Sequence, residues 1–144
     1  MPRMLFANMP VKDVTATRTF FAELGFEFND VFSDENCVSM VISEQATVMF
    51  LSESRFKDFI SDSITDTTQS REVLMCVSAD SRDEVDSLVD SAIAAGGSPW
   101  MEPQDHGFMY GRAFRDLDRH VWEVMWMDQS AVAPDTAVAP DTAE

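Results

Sequence analysis

No apolar run in this chain approaches the length a membrane span needs, and the N-terminus lacks a signal-peptide pattern, so the expected location is cytoplasmic with no membrane partner. Cysteine is scarce. Cys37 and Cys76 are too few and too far apart for a disulfide framework or a zinc site, and read as two small buried hydrophobes. Positive charge is scarce too: 10 Lys and Arg stand against 26 Asp and Glu, a net charge of -16. Four of those acids, Asp128, Asp135, Asp141 and Glu144, follow Met127 in a segment with no Lys or Arg, which leaves -12 for the rest. A surface of that sign repels phosphate backbones and excludes nucleic acid as a partner, although it says nothing about the potential inside a pocket. What is present is apolar content of 45% with eleven Phe in 144 residues, enough for one domain with a real core and against disorder.

One supersecondary unit occurs twice. In the first module, about residues 3–53, Met4 to Met9 reads as a strand ended by Pro10. Asp13 then caps a helix through Phe20, Phe21 and Leu24, and Gly25 is placed for a left-handed C-terminal cap. Three strands follow, at Glu27 to Phe32, Cys37 to Ile42 and Thr47 to Leu51. The second module, about residues 71–128, opens with the strand Val73 to Val77. The capping box Ser81-x-x-Glu84 starts a helix with Val85, Leu88, Val89, Ala92 and Ile93 on one stripe, closed by Gly96-Gly97. Strands follow near Ser98 to Met101, Tyr110 to Arg115 and His120 to Met127. Between the modules, Phe56, Phe59, Ile60 and Ile64 predict a connecting helix within residues 54–66, and the polar stretch Ser63 to Ser70 a mobile loop. From Ala131 the hexapeptide Ala-Val-Ala-Pro-Asp-Thr occurs twice; without core-forming periodicity, residues 131–144 read as a disordered tail.

The last two strands carry the chemistry. Asp116-Leu117-Asp118-Arg119 reads as the turn between them. In the final strand Val121, Glu123, Met125 and Met127 share one face, while His120, Trp122, Val124 and Trp126 share the other, the side facing a helix. A lone acid in an apolar row is costly to bury without a partner, so Glu123 is either a site residue or a carboxylate satisfied by Arg112 or Arg115 on the neighbouring strand. His106, between Asp105 and Gly107, is a candidate for proton transfer or simply part of a surface loop. Tyr110 and Arg112 share a strand face and are candidates to meet an anionic or polar ligand, with Arg112 alternatively the structural partner of Glu123.

Val11-Lys12-Asp13, Phe20-Phe21, Leu24-Gly25-Phe26 and Asp116 to Glu123 resemble the vicinal oxygen chelate superfamily, which includes glyoxalase I, bleomycin-resistance proteins and extradiol dioxygenases. The Glu102 to Arg112 stretch is closest to a glyoxalase-like branch. Arg119 stands where that family has Gly and Leu117 where it has Pro. The resemblance covers residues 4–127 and implies an α+β fold, two βαβββ modules forming a cup-shaped sheet, in a homodimer. It also implies four metal-ligand positions. These fall on Phe6, on or near Phe50, on Leu74 and on Glu123, and only Glu123 retains a donor. A register slip of two brings Asn8, Ser52, Cys76 and Ser78 to the same faces, still without imidazoles. No metal and no cofactor are therefore expected. The expected function is metal-independent binding of a small organic molecule by Phe6, Asn8, Phe50, Leu74, Arg112 and Glu123. The alternatives are a metal-dependent lyase or isomerase of the lactoylglutathione lyase type, and a metal-free acid–base enzyme using Glu123 with His106 or Tyr110.

Overall fold

Both long helices begin and end on the residues that the capping rules pick out. In a computed structural model that describes residues 2–131, α1 spans Val14–Glu23, and Asp13 accepts a 3.0 Å hydrogen bond from Ala16 N. The second long helix, α3, spans Arg82–Ala94; Ser81 Oγ accepts from Glu84 N at 3.0 Å, while the Glu84 carboxylate reaches Asp80 N. Each helix closes with the same pair of bonds. Gly25 N donates to Ala22 O and Phe26 N to Phe21 O; Gly96 N donates to Ile93 O and Gly97 N to Ala92 O. The left-handed φ of Gly25 (100°) and Gly96 (115°) is what this cap demands. The likeness of the two modules thus extends to their hydrogen bonds.

Strands β1 (Leu5–Val11), β2 (Glu27–Phe28), β3 (Cys37–Ser43) and β4 (Ala46–Ser52) form a four-stranded sheet in the order β1-β4-β3-β2, with β1 and β4 parallel. The second sheet has five strands, β5 (Leu74–Ser78), β6 (Ser98–Pro99), β7 (Gln104–Asp105), β8 (Met109–Arg115) and β9 (Val121–Met127). Its order is β5-β9-β8-β6, with β7 also paired to β8. The fold is α+β with two curved half-cups, and neither sheet closes into a barrel. No helix among the described residues is long and apolar enough to cross a membrane.

One core joins the two sheets through their helices. Phe21 stacks on Phe50 of β4 with ring centroids 5.0 Å apart and meets Trp122 of β9 edge-on at 5.1 Å. Around them lie Met9, Val11, Phe20, Val85, Val89, Phe114 and Val124, all buried. Burying side chains of this size contributes about 1.5–3 kcal/mol each.

Several expectations need correction. Pro10 does not end the first strand, because its ring projects from an edge strand that continues to Val11. The connecting segment is helical only over Glu53–Phe56 (α2), followed by a single 3-10 turn at Lys57–Phe59. Phe59 is 64% exposed, so the apolar stripe meets no core there, and Ser61, Asp62 and Ser63 favour side-chain-to-backbone bonding over a helix. The second strand of the first module shortens to β2 and a 3-10 turn at Asp30–Phe32, and β7 has no counterpart among the expected strands. Ser63 to Ser70 is anchored rather than free: Thr67 Oγ1 donates to Asp118 O at 2.7 Å, and Arg71 donates to the Thr67 and Arg119 carbonyls. Cys76 is exposed and Cys37 only partly buried. The repeat tail lies outside the described residues beyond Ala131.

Candidate functional site

Strand alternation decides which side chains look away from the core. On β1, Ala7, Met9 and Val11 face inward, leaving Phe6 and Asn8 on the open face. Parallel pairing puts Phe6 beside Thr47 and Asn8 beside Met49, while Met9 pairs with Phe50. Phe6 is therefore 54% exposed whereas Phe50 is fully buried and stacked on Phe21. Phe50 does not line a cup; Met49 takes that place. The open face of the first sheet holds a cavity of about 590 Å³ bordered by Met4, Phe6, Asn8, Phe32, Val41 and Met49.

On the second sheet, Leu74, Cys76 and Ser78 of β5 are exposed, and Cys76 is the Cα partner of Glu123 on β9. Across the other edge of β9, Glu123 pairs with Ala113 of β8. Glu123 is half-buried, and among the described residues its carboxylate has no ion pair and no side-chain hydrogen bond. It borders a cavity of about 200 Å³, mainly apolar, with Trp100, Met101, Gly111, Arg112, Ala113 and Met125 around it, together with Glu102 and Gln104. Met101 holds a left-handed φ of 51°, a strained conformation for a residue with a Cβ. The Cys76 thiol is pushed up by partial burial and then by the neighbouring Glu123 charge.

Three predicted partners of Glu123 point elsewhere. The Tyr110 hydroxyl donates to Asp86 Oδ1 at 2.6 Å, and Arg112 bridges Asp86 and Asp90 of α3 at 2.9 and 3.0 Å. Both lie on the helix-facing side of β8, opposite Gly111 and Ala113. The bonds from Tyr110 and Arg112 hold the Asp86 carboxyl below its ordinary range, and Asp86 in turn raises the phenol. Arg115 Nε donates to Ser98 Oγ instead, at 2.9 Å. Neither arginine satisfies Glu123. His106 is exposed at the β7–β8 turn, and its neighbour Asp105 is bound by both Arg82 guanidinium nitrogens at 2.8 and 3.0 Å, which holds that carboxyl well below the usual range. The Tyr110 and Arg112 side chains are thus engaged with α3, although Arg112 also borders the Glu123 cavity, and His106 lines none of the cavities described.

A divalent metal does not fit the donors present. Phe6 and Leu74 offer no lone pair, Phe50 faces the core, and Ser52 is engaged with Asn36 Oδ1 and with the N-terminus of α2. Among the described residues, no three His, Cys, Asp or Glu side chains are grouped to hold an ion.

Comparison with known proteins matches this fold. Residues 3–43 fit the family model for the bleomycin resistance protein-like N-terminal region. Among solved structures, the chain is similar to hypothetical protein SA1046 from S. aureus, at 28% identity over 88% of this chain and 94% of that one, with a TM-score of 0.73. A glyoxalase-related enzyme from Fulvimarina pelagi shares the fold at 16% identity, covering 90% and 91% of the two chains, with a TM-score of 0.74. A lactoylglutathione lyase from Agrobacterium tumefaciens does so at 15% identity, 85% and 92% coverage and a TM-score of 0.62. No curated sequence matches the chain.

Proposed function

Starting from a chain that carries the glyoxalase/bleomycin-resistance/dioxygenase fold of the vicinal oxygen chelate superfamily, we propose that it binds a small, largely apolar organic molecule without a metal, with Glu123 as the polar anchor. The observation that supports this reading is the Glu123 carboxylate itself, half-buried in an apolar cavity and lacking any internal partner among the described residues. Leaving such a group unpaired is costly, so a ligand that brings a donor or a positive charge gains strongly from meeting it. Methionines and Trp100 around it suit a flat hydrophobic body.

In the same reading the protein is a cytoplasmic homodimer. The first-sheet cavity at Phe6 and Asn8 and the second-sheet cavity at Glu123 share no lining residue within one chain. A second copy that laid its first sheet over the second would close both into one cup, with Phe6, Asn8, Met49, Leu74 and Glu123 around the ligand. The exposed Phe6 and Leu74, 54% and 53%, supply the apolar surface for that closure.

Glu123→Gln removes the charge while keeping the shape. A binding protein then loses affinity for cationic or donor-bearing ligands in a thermal-shift screen of small metabolites, with neutral apolar ligands retained. If the variant and the native protein respond alike to every ligand, the anchor role fails. Stoichiometric nickel or zinc in protein purified without chelator would favour instead the lyase chemistry of the Agrobacterium relative. Turnover lost in Glu123→Gln, without metal, would favour acid–base catalysis.

A further inference from the structure

Lys12 and Lys57 are the chain's only lysines, and both line one cavity of about 310 Å³ that shares no residue with the two cavities of the half-cups. Four segments build it. The end of β1 supplies Lys12, the turn before β9 supplies Asp118 and His120, α2 and the turn after it supply Glu53 and Lys57, and the anchored 63–68 loop covers it with Ser63, Thr65 and Asp66. The cavity therefore lies where the two modules meet. The seam is held by Lys12 N donating to Asp118 Oδ1 at 2.9 Å and by His120 Nε2 at 2.7 Å from Pro10 O.

Its charges are notable for what they do not do. Elsewhere, four of the eight arginines form ion pairs: Arg18 with Asp30, Arg55 with Asp58, Arg82 with Asp105, and Arg112 with Asp86 and Asp90. Neither lysine forms an ion pair among the described residues, nor does Glu53, although all three border the same space as Asp66 and Asp118. The exposed Ser63 and Thr65 hydroxyls likewise have no protein hydrogen-bond partner among the described residues. At the wall, His120 is 1% exposed, and its Nδ1 has no hydrogen-bond partner among the described residues, with Glu72 Oε2 3.2 Å away. A simple anion would meet three carboxylates in this cavity, and a simple cation would meet two ammonium groups. A molecule carrying both signs a few ångströms apart meets neither penalty.

We propose that the module seam is a second binding site, for a small zwitterion of the α-amino-acid class whose carboxylate meets Lys12 and Lys57 and whose ammonium meets Glu53 and Asp118. Ser63 and Thr65 give such a ligand hydroxyl partners. The volume, at the small end of ligand pockets, suits a molecule of that size.

Having only two lysines makes the test specific. Reductive ¹³C-methylation of the full chain keeps the lysine charge and labels Lys12, Lys57 and the N-terminal amine, the last as internal reference. The twenty proteinogenic amino acids are titrated singly, with inorganic phosphate and putrescine as anion-only and cation-only probes. At least one amino acid is expected to shift both lysine signals saturably while leaving the reference in place, with phosphate and putrescine at least tenfold weaker. Lys12→Met and Lys57→Met, both at exposed positions, each weaken that binding at least tenfold by calorimetry on unlabelled protein. The proposal is overturned if no amino acid moves the two signals, or if phosphate or putrescine moves them as strongly.

Discussion

Asp116 Oδ2 accepts a 3.0 Å hydrogen bond from Trp122 Nε1 beneath the last hairpin, while Asp116 Oδ1 accepts from Asp118 N and His120 N at 2.9 and 3.0 Å. The carboxylate is 4% exposed, and the bonds tie the hairpin turn to the aromatic core. Asp116→Asn places an NH₂ donor on one of these three donors. We expect a loss of about 1–3 kcal/mol in urea denaturation. The loss should also depend on pH. Burial pushes the Asp116 carboxyl up to about 6, against the pull of His120 and its hydrogen bonds. A carboxyl raised on folding contributes stability that is complete below about pH 4 and lost as pH rises through about 6. Asparagine does not titrate, so the gap between native and variant should narrow from pH 4 to pH 7. A gap that widens would contradict this account.

Phe6 and Phe50 stand on opposite faces of one sheet, one exposed and one fully buried. Phe50→Ala should cost about 3–5 kcal/mol, because it opens a cavity between Phe21 and Trp122. Phe6→Ala should cost under about 1 kcal/mol at low protein concentration. Its effect should appear instead in sedimentation velocity, as weaker self-association. Equal destabilisation by the two changes would mean that the strand register is wrong.

Arg112→Met and Tyr110→Phe test whether the helix-facing side of β8 is structural. Each should lower stability by about 1 kcal/mol or less, since the ion pairs to Asp86 and Asp90 are partly screened by solvent. Neither should change ligand affinity in the thermal-shift screen that detects Glu123→Gln. Loss of affinity without loss of stability would return both residues to the binding site.

Arg119 occupies a left-handed conformation, φ 65°, with its N–H donating to Asp116 O at 3.0 Å. An L-residue there is strained by about 1 kcal/mol, and glycine is not. Arg119→Gly should raise the urea midpoint, a gain of up to about 1 kcal/mol. The backbone carbonyl that receives Arg71 remains in place. An unchanged or lower midpoint would show that the arginine side chain stabilises the turn in a way its backbone geometry does not reveal.

The helix caps at Asp13 and Ser81, the glycine ends at Gly25 and Gly96, and the doubled module were legible because each depends on residues within a few positions of one another. Period-two alternation likewise separated Glu123 from Trp122 correctly. The pocket position that the resemblance implied on or near Phe50 failed, because alternation says that neighbours face opposite ways but not which way is inward. That choice depends on the parallel register with β1, some 40 residues earlier, and on Phe21 filling the space. The sequence offers Arg112 as a partner for Glu123 and Tyr110 with Arg112 as ligand contacts, yet the acids of α3, 22 to 26 residues away, reach both side chains. The connecting helix stopped short because a stripe of Phe and Ile needs a surface to cover, and none meets Phe59. By itself, then, the sequence determined the two long helices with their caps, the doubled module and the one acid that stands alone on the last strand. Tertiary structure alone decided which faces are open, which charges neutralise one another, and that both lysines meet at the module seam. Local hydrogen bonding is written into short stretches of chain, whereas charge pairing and burial depend on where distant stretches come to rest.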